Sequence, residues 1–390
     1  MMTMTDMVQK ENTVGLYLHV PFCVAKCRYC DFYSAAAPRE VMSRYTGALA
    51  RELESRAPLA RGLTVDTVYI GGGTPTLLAP ADIAHLLDTV RQHYTLDPAP
   101  EVTVECNPQS FKAGIFEALL GAGVNRLSIG LQSSNDRELL ALGRPHDMAA
   151  FASTYRAARE AGFQNINVDI MFGIPHQTKE SLAHTLHTVL AYDPEHISAY
   201  GLRVEEGTPF WRERHTLPIA DEDTVADMQL TVAEVLGGAG FEHYEVSNYA
   251  RAGYRSRHNM RYWLGKPYLG FGPAAHSFFD GVRYEAPCDT GGYIRAVEEG
   301  NFSALQTNAH RITPHEAMEE YVMLRMRLFE GIEEKDFSAR FGISFEEVYG
   351  NVENLIRGGL LVKKAGRIAF TEQGMYVSNA ILSEWLDFRS

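Results

Sequence analysis

The chain reads as an α/β protein built on parallel strands, and three observations carry that reading. Short apolar runs alternate with segments whose apolar residues recur every three to four positions, six such units follow one another, and polar or glycine-rich motifs stand where the runs end. Repeated strand–helix units imply parallel strands with right-handed crossovers, hence a barrel or an open doubly wound sheet. In such folds ligands gather at the carboxyl ends of the strands.

The first strand covers 14–20 and stops at the breaker Pro21. Further strands follow at 65–70, 101–105, 126–130, 165–171 and 196–200, and helical periodicity fills 81–93, 113–120, 148–161 and 181–192. No repeat period or low-complexity tract interrupts the pattern. With 390 residues, 45% of them hydrophobic and 22% charged, the chain can bury a large core. Its organisation divides at 1–210, a partial barrel, 211–310, an extension of that barrel, and 311–390, a separate module.

Three cysteines, Cys23, Cys27 and Cys30, fall directly after the first strand, so a thiolate cluster sits on the loop at its carboxyl end. Three thiolates can hold three irons of a cubane cluster and leave the fourth without a protein ligand. A zinc site completed by His19 and three unrelated buried thiols are the alternatives, yet zinc sites usually pair C-x2-C with a second, distant knuckle. Cys106 and Cys288 read as plain cysteines. So few cysteines make no disulfide framework, and an exposed thiolate loop suits a reducing compartment.

No stretch approaches the roughly 20 apolar residues of a membrane span, and the first twelve residues are polar with no apolar signal core, which predicts a cytoplasmic protein. Peripheral membrane contact and a homodimer remain open. The net charge of −13 opposes a phosphate backbone and argues against nucleic acid as a ligand.

The strand 65–70 runs into Gly71-Gly72-Gly73-Thr74-Pro75-Thr76, where missing Cβ atoms let backbone approach a ligand closely. This is not the G-x-G-x-x-G dinucleotide pattern, and a Rossmann assignment is rejected. Glu105 closes the next strand, Gln132 follows the one after, Arg144 lies in Leu142-Gly143-Arg144-Pro145-His146, and Asp169 lies within Val168-Asp169-Ile170. Together they make a polar cage at the strand ends, in which the carboxylates can accept from an ammonium or hydroxyl and Arg144 can fork onto a carboxylate.

The C-x3-C-x2-C spacing, with Tyr29 before the last cysteine, resembles the radical SAM superfamily, whose open iron binds S-adenosylmethionine (SAM). The six units resemble its incomplete (β/α)6 barrel. The wider string His19-Val20-Pro21-Phe22-Cys23 through Cys30-Asp31-Phe32 is similar to one branch, which holds oxygen-independent coproporphyrinogen III oxidases and the heme chaperones named HemW. That resemblance implies a 4Fe-4S cluster on the three cysteines and a SAM pocket from Tyr17, Tyr29, Phe32, Gly72, Gly73, Thr74, Glu105, Gln132, Arg144 and Asp169.

Two features separate the branches. The oxidases carry a further cysteine two residues after the third, where this chain has Phe32. The string Ser256-Arg257-His258-Asn259-Met260-Arg261-Tyr262-Trp263 contains the H-N-x-x-Y pattern associated with heme in HemW proteins, which implies heme binding by His258, Asn259 and Tyr262. Iron accepts imidazole axially, and aromatic rings offer flat apolar faces to a porphyrin. An exposed ligand on a mobile loop is expected, flanked by Gly253, Gly265 and Gly270, with His276 as second candidate.

The tail holds helical patterns at 314–329, 333–341 and 344–358, then 360–362, a turn at Ala365-Gly366, and 368–370, which reads as a winged-helix-like α+β domain. Ten Lys plus Arg against thirteen Asp plus Glu deny it the footprint of a DNA binder, so packing against the barrel or covering its mouth is expected. The resemblance implies a heme carrier that serves acceptor proteins, respiratory cytochromes foremost. The alternative is a catalyst that decarboxylates coproporphyrinogen III through a 5′-deoxyadenosyl radical.

Overall fold

The structure, a computed structural model, describes residues 12–108, 114–350 and 352–386. Most of the polar start and Ala113 lie outside them. Six strands stand side by side in chain order and run parallel: β1 (Thr13–Val20), β2 (Thr64–Gly72), β3 (Leu96–Cys106), β4 (Arg126–Gln132), β5 (Ile166–Phe172) and β6 (His196–Gly201). Crossover helices Pro80–His93, Ile115–Gly121, Met148–Ala161 and Lys179–Leu190 fall where the periodicity puts them.

The helix Arg39–Arg56, between β1 and β2, is absent from the sequence reading although it spans 18 residues. Its inner face explains the omission. Beside Tyr45, Leu49 and Leu53 it buries Glu52 and Arg56, paired at 2.8 Å, so two charges occupy positions where an amphipathic pattern would show apolar residues. The pair is tied in further, because Glu52 accepts from Tyr293 at 2.7 Å and Arg56 donates to the Gly270 carbonyl at 2.7 Å.

Each strand sends alternate side chains to opposite faces. Leu16, Leu18, Val68, Ile70, Val104, Leu127, Ile129, Val168, Ile170 and Ile197 form the outer rows, fully buried beneath the helices. Burial of each such side chain contributes about 1.5–3 kcal/mol, and this layer is the main core. The inner rows are polar: Thr103, Arg126, Ser128, Asn167 and His196 are buried, and Tyr17, Tyr69, Glu105 and Asp169 are half-buried. A polar lining on a concave sheet needs hydrogen-bond partners inside it.

Two further groups of strands continue the sheet. β7 (Glu242–Glu245) and β8 (Asn248–Ala250) extend it antiparallel beyond β6. Beyond β1 come β9 (Tyr268–Phe271), parallel, and then β10 (His276–Phe279), β11 (Val282–Glu285) and β12 (Thr307–Arg311), antiparallel, to make twelve strands.

The C-terminal module has its own core, with Val322, Met326, Ile332, Phe337, Phe345 and Phe370. The expected first helix is shorter, Pro314–Arg325, and the expected helix 344–358 is split into Phe345–Tyr349 and Glu353–Arg357 around Gly350, whose φ of 75° breaks it. The hairpin forms as read: β14 (Leu361–Lys364) and β15 (Arg367–Phe370) flank Ala365 and Gly366, both at positive φ, and β13 (Ile332–Glu333) completes a three-stranded sheet. Helices Glu372–Tyr376 and Ser378–Trp385 follow. The module packs on the extension strands through Arg283–Glu320 at 2.8 Å, His243–Glu372 at 2.9 Å and the Val246 N–H on the Arg327 carbonyl at 3.0 Å. No helix among the described residues is long and apolar enough to cross a membrane.

Candidate functional site

The cysteine loop is docked on the carboxyl ends of β1 and β2 by backbone. The Gly73 N–H bonds the Val20 carbonyl at 2.8 Å, the Thr74 N–H the Phe22 carbonyl at 2.7 Å, and the Cys23 N–H the Ala35 carbonyl at 3.1 Å. Cys23, Cys27 and Cys30 are all free thiols, half-buried to buried, and burial pushes the Cys30 thiol up to about 11. Thr74 Oγ1 lies 3.7 Å from Cys23 Sγ, and Arg144 Nη1 lies 3.6 Å from Cys27 Sγ. His19, the alternative zinc ligand, spends its nitrogens on Tyr17 Oη at 3.0 Å and the Tyr33 carbonyl at 2.9 Å. Among the described residues no three His, Cys, Asp or Glu side chains converge on a point that would hold one metal ion. Val24 and Phe32 project from the loop, 60% and 63% exposed.

The glycine triplet is explained by close packing. A Cβ on Gly73 would stand 2.5 Å from the Phe22 carbonyl oxygen and 2.8 Å from that of Val20, so the loop can dock only on glycine. Gly72, at φ 106°, leaves room for the His19 ring and donates its N–H to Glu105 Oε2 at 3.0 Å. The glycine triplet, read as letting backbone approach a ligand closely, also serves internal packing: Gly73 faces the protein's own loop.

Glu105 is the half-buried carboxylate of the mouth. Burial pushes it up to about 7, against the pull of the Tyr69 hydroxyl, which donates to Oε1 at 2.8 Å. Asp169 is likewise raised by burial, and it accepts from Asn167 Nδ2 at 2.7 Å and Ser128 Oγ at 3.1 Å. Arg144 does not meet Asp169 in this network: its Nη2 donates to the Gly130 carbonyl at 2.7 Å, and the Tyr29 hydroxyl bonds to it as well. Gln132 closes β4 in the left-handed region at φ 72°, a conformation that costs on the order of 1 kcal/mol for a non-glycine residue.

The H-N-x-x-Y segment differs from its expectation. It forms a helix, Arg257–Trp263, at the opposite, amino-terminal end of the strands, and His258 is 1% exposed. Glu101 accepts the Arg257 and His258 N–H groups at 2.9 and 3.0 Å, Ser256 caps the same end, and Arg261 Nε donates to Asp66 at 2.9 Å, so the helix is pinned across the floor of the barrel. Both His258 nitrogens are engaged, Nδ1 with Thr67 Oγ1 at 2.9 Å and Nε2 with Tyr262 Oη at 2.8 Å. Burial, with Arg261 and Arg126 nearby, lowers its pKa to about 3 and keeps the ring neutral. Asn259 is half-buried in the same helix.

The flanking glycines do not act alike. Gly253 and Gly265 adopt positive φ in open space, but a Cβ on Gly270 would lie 2.1 Å from the His276 carbonyl oxygen, so this glycine serves packing between β9 and β10. His276 presents an imidazole 66% exposed, 3.3 Å from Glu285.

Sequence reading missed Tyr69, Arg126, Ser128 and Asn167. Their signal was period-two alternation inside apolar strands, as in Arg126-Leu127-Ser128-Ile129 and Asn167-Val168-Asp169-Ile170, which marks one face as polar. Arg126 is 1% exposed and its Nε has no hydrogen-bond partner.

Comparison with known proteins agrees with the fold. A family model described as the Radical SAM superfamily matches residues 17–189, and one described as the HemN C-terminal domain matches 312–377. The protein named heme chaperone HemW of Bacillus subtilis is 34% identical over 376 residues, covering 95% of this chain and 98% of that protein. Its namesake in Escherichia coli is 34% identical over 377 residues, with coverage of 96% and 98%. Coproporphyrinogen III oxidase (HemN) from Escherichia coli, a solved structure, superposes with a TM-score of 0.83 over 96% of this chain and 90% of that one at 23% identity, a likeness of fold.

Proposed function

The chain belongs to the HemW family of radical SAM proteins, and from that premise we propose that it is a heme chaperone: it holds a 4Fe-4S cluster on Cys23, Cys27 and Cys30, binds SAM at the barrel mouth, and passes heme to acceptor hemoproteins such as respiratory cytochromes. Its fold is the incomplete (β/α)6 barrel of that superfamily with a small C-terminal α+β domain.

One observation carries the reading. Three free thiols stand on a loop that backbone hydrogen bonds dock on the ends of β1 and β2, beside a cationic fork and the half-buried carboxylate that accepts from Gly72. The donor set fits a cluster: three sulfur ligands on a rigid loop, with Arg144 to offset thiolate charge. When bound, the cluster supplies a one-electron source and an open iron for the amino acid part of SAM. Glu105 offers an acceptor for an ammonium or hydroxyl group, Arg144 a donor fork for a carboxylate, and Tyr17, Tyr29, Phe32, Gly72, Gly73, Thr74, Gln132 and Asp169 complete the pocket. Free thiols suit the reducing cytoplasm.

Of the two histidines that the sequence offers for the heme, His276 is exposed and available without rearrangement. Ligation by His258 requires the floor helix to give up the Tyr262 bond. Phe32, where the oxidases have a cysteine, favours carriage over catalysis. Anaerobically reconstituted protein should bind heme with a Soret band, deliver it to an apo-cytochrome, and form no protoporphyrinogen from coproporphyrinogen III with SAM and reductant. Steady decarboxylation would replace the chaperone by the oxidase.

A further inference from the structure

We infer that His258 is a positioning residue for the SAM pocket, acting through Tyr69 on the Glu105 carboxylate. This rests on the proposal that Glu105 contacts SAM. The two ends of the pathway lie on opposite ends of the barrel, and Tyr69 joins them. Its ring stacks on His258 at 5.2 Å with planes 29° apart and meets Tyr17 on β1 at 6.1 Å. Its hydroxyl donates to Glu105 Oε1.

Tyrosine orientation is set by only two side-chain torsions, so a ring held by its neighbours holds its hydroxyl. His258 is itself immobile, because Thr67 and Tyr262 bind its two nitrogens and Thr67 lies two residues before Tyr69 on the same face of β2. Truncation of His258 would leave a void of imidazole size against Tyr69. The tyrosine would swing into it, and Glu105 would keep the Gly72 N–H but lose its hydroxyl donor. The carboxylate would then be worse placed, and its charged form less favoured. The other groups that face Glu105 are Tyr17 from β1, Arg126 from β4, Asp169 from β5, Tyr200 from β6 and Tyr262 from the floor helix, of which Tyr262 loses its own bond to His258 in the same variant.

The test is a double-mutant cycle on the full chain. SAM affinity of cluster-loaded protein is measured by calorimetry, and the protonated carboxyl band of Glu105 is followed by infrared titration of the metal-free chain, with Glu105→Gln to assign it. His258→Ala should weaken SAM about tenfold, the scale of one charge-assisted hydrogen bond, and raise the titration of Glu105. Tyr69→Phe should do the same. The double variant should be no worse than Tyr69→Phe, and His258→Phe, which keeps a ring against Tyr69, should stay near wild type. Additive effects, or a Glu105 titration unmoved in His258→Ala, overturn the inference. Should wild-type protein bind no SAM, the pocket assignment fails while the infrared arm still decides whether His258 governs Glu105.

Discussion

Arg144 ties the cysteine loop to the barrel rim: its Nη1 stands 3.6 Å from Cys27 Sγ while its Nη2 holds the Gly130 carbonyl at 2.7 Å. One guanidinium therefore touches both the thiolate loop and the end of β4, with Tyr29 bonded to it. Arg144→Ala removes a charge-assisted fork and no sulfur ligand. SAM affinity should fall tenfold or more with iron content preserved, and Arg144→Lys should recover little, because a point charge cannot reproduce the fork. Calorimetry beside iron analysis checks both; unchanged affinity would make Arg144 a brace for the loop alone.

Each loop cysteine should be indispensable for the cluster. Cys23→Ala, Cys27→Ala and Cys30→Ala should each strip most of the iron and the broad thiolate-to-iron absorption under anaerobic preparation, since each removes one ligand. Cys106, buried at the end of β3, and Cys288, exposed, should tolerate Ser in this respect. Equal loss in Cys106→Ser would refute the assignment.

Gly73→Ala tests how the loop is docked. The added methyl has only the Phe22 and Val20 carbonyl oxygens to meet, and both are backbone. The loop must shift, at a cost of about 1–3 kcal/mol of stability, and cluster loading should drop. Denaturant unfolding and iron content measure the two effects; a fully stable, fully loaded variant would contradict the docking geometry.

Glu105 makes stability depend on pH in a definite direction. Its folded pKa of about 7 lies above the ordinary 4.5, so folding favours the protonated carboxyl. That contribution is complete below pH 4.5 and is lost as pH rises through 7, amounting to on the order of 3 kcal/mol. Glu245, buried beside Asn248 and also raised by burial to about 7, acts in the same sense. Glu105→Gln should gain stability relative to wild type at about pH 8.5 and lose that advantage at about pH 4.5, as read from denaturant midpoints. A difference of the opposite sign would mean that Glu105 is charged and well paired inside the barrel.

Heme binding separates the two histidines. His276→Ala should abolish or shift the Soret band, because its imidazole is the exposed one, whereas His258→Ala should keep a band while SAM affinity falls. Loss of the band in His258→Ala alone would show instead that the floor helix opens and frees that ring for iron.

Much of this was legible in one dimension, and for a local reason. Strand and helix periods, the thiolate loop after β1, the glycines after β2, the carboxylate ending β3 and the C-terminal hairpin are written over a few consecutive residues each, and the structure places them at those positions. Two losses came from charge hidden in the core: the helix Arg39–Arg56 buries an ion pair, and the polar rows of β2 to β6 look like surface residues until the sheet curls around them.

What the sequence determined by itself is therefore the α/β class, the succession of strand–helix units with parallel strands, and the assembly of cysteines and polar groups at their carboxyl ends. Only the tertiary structure decided where His258 goes. The segment around it carries arginines, glycines and aromatic residues that suit an exposed loop, yet its burial depends on partners far away in the chain: Glu101, 157 positions before His258, satisfies the helix end, and Asp66, 195 positions before Arg261, neutralises the guanidinium. A buried helix terminus and a buried cation are stable only when such acceptors arrive, and no local pattern announces an acceptor supplied from so far away in the chain.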